Sequence, residues 1–121
     1  MDDLLHAYTR KEAIADGVLI DVSHTAEEAG FRYPVALTSG VWAECVRVPE
    51  EVSYQDESGR LWDILTMLRY FIQKDPNQSL VRFIVQVQND ERPPQPVHLK
   101  ALCGPGDNGE PVITVLLPHE D

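Results

Sequence analysis

The sequence predicts an α+β domain: an antiparallel meander sheet of three to four strands, several short helices, and one long core helix packed on one face. Three observations predict it. In the stretch 59–74, GRLWDILTMLRYFIQK, the residues Leu61, Leu65, Leu68 and Ile72 recur at helical spacing. From residue 80 the apolar period drops to two, in LVRFIVQVQ and again in VHLKALC. Helical signals fill the first half and strand signals the second, which is the order of an α+β chain. A length of 121 residues suits a single domain, 1–121. Such a chain buries roughly two thirds of its unfolded surface, so it needs neither disulfide nor metal to hold a core.

Taken in order, Thr9 opens TRKE, a capping box in which Thr9 and Glu12 satisfy each other's backbone N–H. A helix over 10–16 follows, and Gly17 suits its left-handed stop. VLIDV, 18–22, reads as a short strand that extends the meander. Ser23 is placed to cap a helix over HTAEEA that Gly30 ends. FRYPVALT is extended or turning at Pro34. Thr38 caps a helix over SGVWAECV, with Val41, Trp42, Cys45 and Val46 on one face and Pro49 as its stop. EEVSYQDESG is an acidic loop. In helix 59–74, Trp62, Ile64, Met67 and Phe71 widen the leucine stripe, so the helix is expected to be apolar on most sides and central to the core. Trp42, Trp62, Phe71 and Phe83 all occupy core-type positions, whereas Tyr8, Tyr33 and Tyr54 are the aromatics expected at the surface. PVITVLLP, 111–118, is apolar on both faces, as a middle strand or one covered on both sides would be.

The formal net charge is −10, with 20 acids against 10 bases. That disfavours nucleic acid and anionic membrane, because each neutralised phosphate needs a Lys or Arg. No apolar run is long enough to span a bilayer, and the N-terminus has acids where a signal peptide carries bases. The two cysteines, Cys45 and Cys103, match no zinc or CxxC spacing and read as reduced thiols of a cytoplasmic protein, with Cys103 packed in a strand. The acidity has two readings: a well-solvated surface, or a field that attracts a basic partner.

The glycine-rich stretch 103–112, CGPGDNGEPV, invites comparison with loops that cradle phosphate. Asp107 and Glu110 would repel phosphate, no Lys or Arg follows residue 100, and a strand rather than a helix comes next. Calcium fails on spacing and ligand number. A turn explains every residue, with Gly104, Gly106 and Gly109 supplying positive φ. The histidines assemble into no metal site from spacing, and the pair His98 and Cys103 carries no nucleophile signature. His119-Glu120-Asp121 reads as a solvated tail. No catalytic residue, metal ligand or cofactor is expected. The candidate partner-binding residues are Glu44, Glu50, Glu51, Tyr54, Asp56, Glu57, Asp107 and Glu110. From Glu44 to Asp63 six acids face only Arg47 and Arg60, and from Asp107 to Asp121 four acids face no base. If the two segments share a side, they form a field suited to a basic groove.

The blocks DGVLIDVSHTAEEAGFRYPVALTSGVW, QDESGRLWDIL and CGPGDNGEPVITVLLPHED resemble a family of small uncharacterised bacterial proteins carried on plasmids, phages and other mobile elements. The resemblance covers about residues 10 to 121 and weakens over 75–96. It brings no catalytic residues. It implies a setting in which small acidic proteins block host defence, some by occupying the nucleic-acid channels of restriction or CRISPR complexes. The expected function is therefore that of a non-enzymatic protein-binding module whose partner is a host protein with a basic groove, such as a nucleic-acid-binding defence complex. The alternative is a small nucleotide- or NAD-using enzyme of ADP-ribosyl-transferase type, on the likeness of HAYTR, with His6 and Tyr8, to folds whose His and Tyr line an NAD pocket.

Overall fold

The computed structural model describes residues 8–121. Its sheet has five strands in the spatial order β1 (Leu19–Asp21), β2 (Val35–Thr38), β5 (Pro111–Leu116), β4 (Gln95–Pro105), β3 (Leu80–Val87). The meander β3–β4–β5 is antiparallel throughout, and β5 takes the middle position that its two apolar faces suggest. The sheet as a whole is mixed, which corrects the antiparallel expectation. β2 runs parallel to β5, with Val35 opposite Ile113, and β1 pairs antiparallel with β2. All four residues of β2 are buried, so VALT shows no alternation. Its parallel neighbour lies far along the chain, and no turn signal joins them.

Three short helices precede the long one: α1 (Arg10–Ala15), α2 (Ser23–Glu28) and α3 (Ser39–Val41). The Thr38 hydroxyl accepts the Val41 N–H, as a cap should. α3 continues into a π-helical turn, Trp42–Val46, closed by the Arg47 N–H donating to Trp42 O at 2.8 Å. A 3-10 turn, Glu50–Val52, leads to α4 (Glu57–Lys74). α4 starts two residues before the predicted 59, because Asp56 accepts the Gly59 N–H at 2.6 Å and serves as its cap. Ser23 lies inside α2 instead of capping it; its hydroxyl donates to Asp21 and accepts the Val35 N–H, tying the helix to the sheet.

The core lies between α4 and one face of the sheet. Leu61, Ile64, Leu65 and Leu68 pack with Phe83, Val85, Leu99, Val115 and Leu37. The opposite side of α4 is not buried, which corrects the expectation of a helix central on most sides. Trp62 and Met67, both read as widening the core stripe, face solvent.

The second face of the sheet carries α1, and its first turn explains the glycine-rich stretch. That stretch is the β4–β5 turn; of its glycines only Gly109, at φ +81°, adopts the left-handed region, so the expectation for Gly104 and Gly106 was wrong. The Asp107 carboxylate reaches across and accepts the backbone N–H of Arg10 at 2.8 Å and of Lys11 at 3.0 Å. The Thr9 hydroxyl takes the Glu12 N–H and Glu12 takes the Thr9 N–H, so every N–H at the start of α1 has a partner. The amides of Lys11 and Arg10 hold the Asp107 carboxyl below its ordinary 3.8. The contact therefore stabilises fully above the ordinary carboxylate range and is lost as pH falls through the lower folded value. Protection of the Arg10–Ala15 amides, taken relative to the intrinsic exchange rate at each pH, is expected to fall in acid, and at neutral pH in Asp107→Ala; exchange by NMR at both pH values checks it.

The cysteines separate. Cys45 is buried, and burial, with Glu44 nearby, pushes its thiol up from 9.0 to about 12. Cys103 is exposed rather than packed, because it lies on β4 beyond the first residue of β3, Leu80, which pairs with Leu102. His98 is on the other face of β4, so the two form no pair. Iodoacetamide is expected to label only Cys103 in the native protein and both thiols in urea, as intact-mass spectrometry will read directly.

Candidate protein-binding site

The start of α4 is built around Arg60, which is buried at 7% exposure. Its Nε donates to Gln55 Oε1 at 2.8 Å, and its Nη1 to Arg47 O at 3.0 Å and Asn89 Oδ1 at 2.8 Å. Its Nη2 donates to Gln88 O. Asn89 Nδ2 then donates to Glu44 O at 2.8 Å. The planar fork of donors suits this set of carbonyls, which come from three segments: the π-helical turn, the loop before α4 and the end of β3. Burial lowers the guanidinium pKa below its ordinary value, against the opposing pull of Cys45 and Tyr54.

Around this hub an open groove of about 760 Å³ runs between α4 and β3. Tyr54, Asp56, Trp62, Asp63, Met67 and Gln86 are among its lining residues. Three of them leave large apolar surface in solvent: Tyr54 is 71% exposed, Trp62 42% and Met67 38%. Tyr70, further along α4, is also exposed, but Lys74 Nζ sits 5.4 Å from its ring centroid. The patch therefore runs from Tyr54 along the first three turns of α4, beside Asp56, Glu57 and Asp63, which are all exposed.

Of the residues expected to bind a partner, Glu44, Glu50, Glu51, Tyr54, Asp56 and Glu57 cluster at this end, each exposed. Arg60 ties their segments together. Asp107 and Glu110 do not join them. β4 runs from Gln95, opposite Val87, to Pro105, beyond Leu80, so the β4–β5 turn lies at the other end of the sheet. Asp107 is engaged with α1, and Glu110 accepts the Asn108 N–H at 2.9 Å. The acidic tail also departs from the solvated reading: Glu120 Oε1 accepts the Thr38 hydroxyl at 2.7 Å and the Leu117 N–H at 2.8 Å.

A second groove lies against α1 and the second face of the sheet, lined in part by Tyr8, Arg10, Thr114 and Glu120. Its polar groups bond to the protein itself: Arg10 to Thr114 Oγ1 and Ile113 O, and Tyr8 to Asp16 at 2.7 Å. His6, the partner of Tyr8 in the enzyme reading, lies outside the described residues. Among the described residues no group of three or more His, Cys, Asp or Glu could hold a metal ion. No helix among them is long and apolar enough to cross a membrane.

The family of unknown function DUF6573 matches the chain over residues 1–121. The chain belongs to this family. No curated protein and no solved structure matches it. Within this DUF6573 domain the sequence signs of the acidic cluster were readable, but the role of Arg60 was missed, because it was counted as a surface base offsetting the acids. Its place at the first turn of an apolar helix, on the buried stripe with Ile64, was the available signal. Trp62 and Met67 were missed as surface residues because composition alone does not say where a wide apolar stripe ends.

Proposed function

We propose that this protein is a non-enzymatic binding module that engages a basic partner protein through the acidic, aromatic end of α4. The observation that supports it is the juxtaposition of exposed Tyr54, Trp62 and Met67 with exposed Asp56, Glu57 and Asp63 on a frame held by Arg60. Large exposed apolar side chains gathered beside charged neighbours are what protein interfaces use: aromatics and methionine supply contact area, and the acids steer and orient. The net charge of −10 adds long-range attraction for a basic surface. In the mobile-element setting that the family resemblance implies, the partner is a nucleic-acid-binding defence complex of CRISPR or restriction type, and the acids occupy its groove in place of phosphate.

The test compares tagged wild type with the triple variant Glu50→Lys, Glu51→Lys, Asp63→Lys in nuclease-treated host lysate. Asp56 is left intact because it caps α4. A nucleic-acid-binding complex retained by wild type should elute as salt rises from about 50 to 300 mM and be lost from the variant by about tenfold or more. Added nucleic acid should compete for it. Retention that ignores salt and charge reversal would remove the electrostatic reading.

A further inference from the structure

The groove beside α4 has a second wall, and it is a strand edge. β3 is the last strand of the sheet, and no strand among the described residues pairs with its outer side. The phase of its hydrogen bonding can be read from one contact. Cys103 N–H donates to Ser79 O at 2.8 Å, and the register sets Leu80 opposite Leu102. Ser79, Val81, Phe83, Val85 and Val87 therefore turn their backbone groups to β4, while Arg82, Ile84 and Gln86 turn theirs outward. Pro96, which has no N–H to give, sits opposite Gln86, where β4 gives β3 no bond. The edge has few of the usual protections. It is eight residues long, its register with β4 is unbroken, it contains no proline, and Arg82 is its one charge. The opposite edge, β1, has only three residues.

We infer that β3 accepts an added strand: an extended, basic segment of a partner protein pairs with Arg82, Ile84 and Gln86 and lays alternate side chains into the groove beneath α4. The inference rests on the acidic-face reading and gives it a binding mode. Main-chain bonds along the edge hold the segment, and the groove selects its side chains. The groove is lined by Asp56 and Asp63, while the guanidinium of Arg60 is directed into the protein, so lysine or arginine suits the incoming strand. A second copy of this chain suits the edge poorly, because each copy brings a net charge of −10 and the same acids to the contact.

The probe is a capped octapeptide alternating Lys or Arg with Val, titrated into isotopically labelled protein and followed by amide shifts and exchange. The expected result is that the N–H groups of Arg82, Ile84 and Gln86, fast-exchanging in the free protein, shift and become protected. Ile84→Pro removes an outward N–H without removing a bond to β4, and should weaken binding about tenfold or more. N-methylation of alternate peptide amides should do the same to wild type, which keeps the test valid if the proline variant misfolds. If Asp63→Lys abolishes binding while the N-methylated peptide binds as well as its parent, the acidic face binds without strand addition and the inference falls alone. If edge amides are protected equally by an alternating Glu–Val peptide, the choice of a basic segment falls and the acidic-face reading falls with it. No binding at millimolar peptide overturns strand addition, and so does edge protection that grows with protein concentration alone, which would mark a second copy as the occupant.

Discussion

Replacing Arg60 by methionine is expected to lower the unfolding free energy by about 3 kcal/mol. The guanidinium is buried and bonded to Gln55, Arg47, Asn89 and Gln88, all through neutral oxygens. A methionine of similar reach would fill the space, but it would leave up to four oxygens without a donor, two of them main-chain carbonyls. Each such loss costs about 1 to 3 kcal/mol when water cannot replace the donor. The side chains of Gln55 and Asn89 can turn to other partners, which keeps the total near the lower end. Arg60→Lys keeps the charge but replaces a planar fork by a single point, so it should recover less than half of the loss. Urea titration checks both: the midpoint should fall while the slope stays constant, since the surface exposed on unfolding is unchanged. A loss below about 1 kcal/mol would mean that solvent reaches these carbonyls once the guanidinium is gone. The same hub orders the segments that carry Glu44, Tyr54 and Asp56, so Arg60→Met should weaken partner binding even where the protein remains folded.

How much of this was legible in the sequence depends on the range of the interaction that decides each feature. Local signals read correctly, except for the Ser23 cap and the positive φ expected of Gly104 and Gly106. The Thr9–Glu12 capping box, the Gly17 stop at φ +79°, the Thr38 cap, helix 59–74 and the meander all rest on contacts within a few residues or on a regular period. What else failed was set by distant partners. β2 is a strand because β5, 78 residues along the chain at each register pair (Val35 with Ile113, Leu37 with Val115), provides its ladder, and nothing in VALT announces that. Asp107 looked like a free acid of a turn and was counted among the partner-binding acids, because the helix end it serves begins at Arg10, far away in the chain. Arg60 looked like a surface base because its oxygen partners are main-chain and amide groups, which leave no charge pattern in the text. The acidic cluster from Glu44 to Glu57 was readable as composition, whereas its separation from Asp107 and Glu110 is a matter of which end of the sheet each loop reaches.

Phe83 and Trp62 give the sharpest contrast, because both occupy core-type positions in the sequence. Phe83→Ala is expected to cost about 3 to 5 kcal/mol. The ring is 2% exposed, packs in the core under α4 and lies 6.4 Å from Phe71, so truncation empties a large volume that α4 and the sheet cannot both close. Trp62→Ala should change stability by no more than about 1 kcal/mol, since the indole is 42% exposed and its helix keeps Leu61, Ile64, Leu65 and Leu68 in place. Binding should reverse the order: at about tenfold or more, the loss of partner affinity should fall on Trp62→Ala. Thermal unfolding and partner titration on the two variants separate the outcomes. If Trp62→Ala destabilises as much as Phe83→Ala, the outer side of α4 is buried by packing and the exposed patch is no interface. If Trp62→Ala leaves both stability and binding unchanged, the aromatic contribution to the site is absent and the acids alone must carry recognition. If it spares stability and removes binding, the indole has been kept at the surface for contact with a partner, since it contributes little to the fold that holds it there.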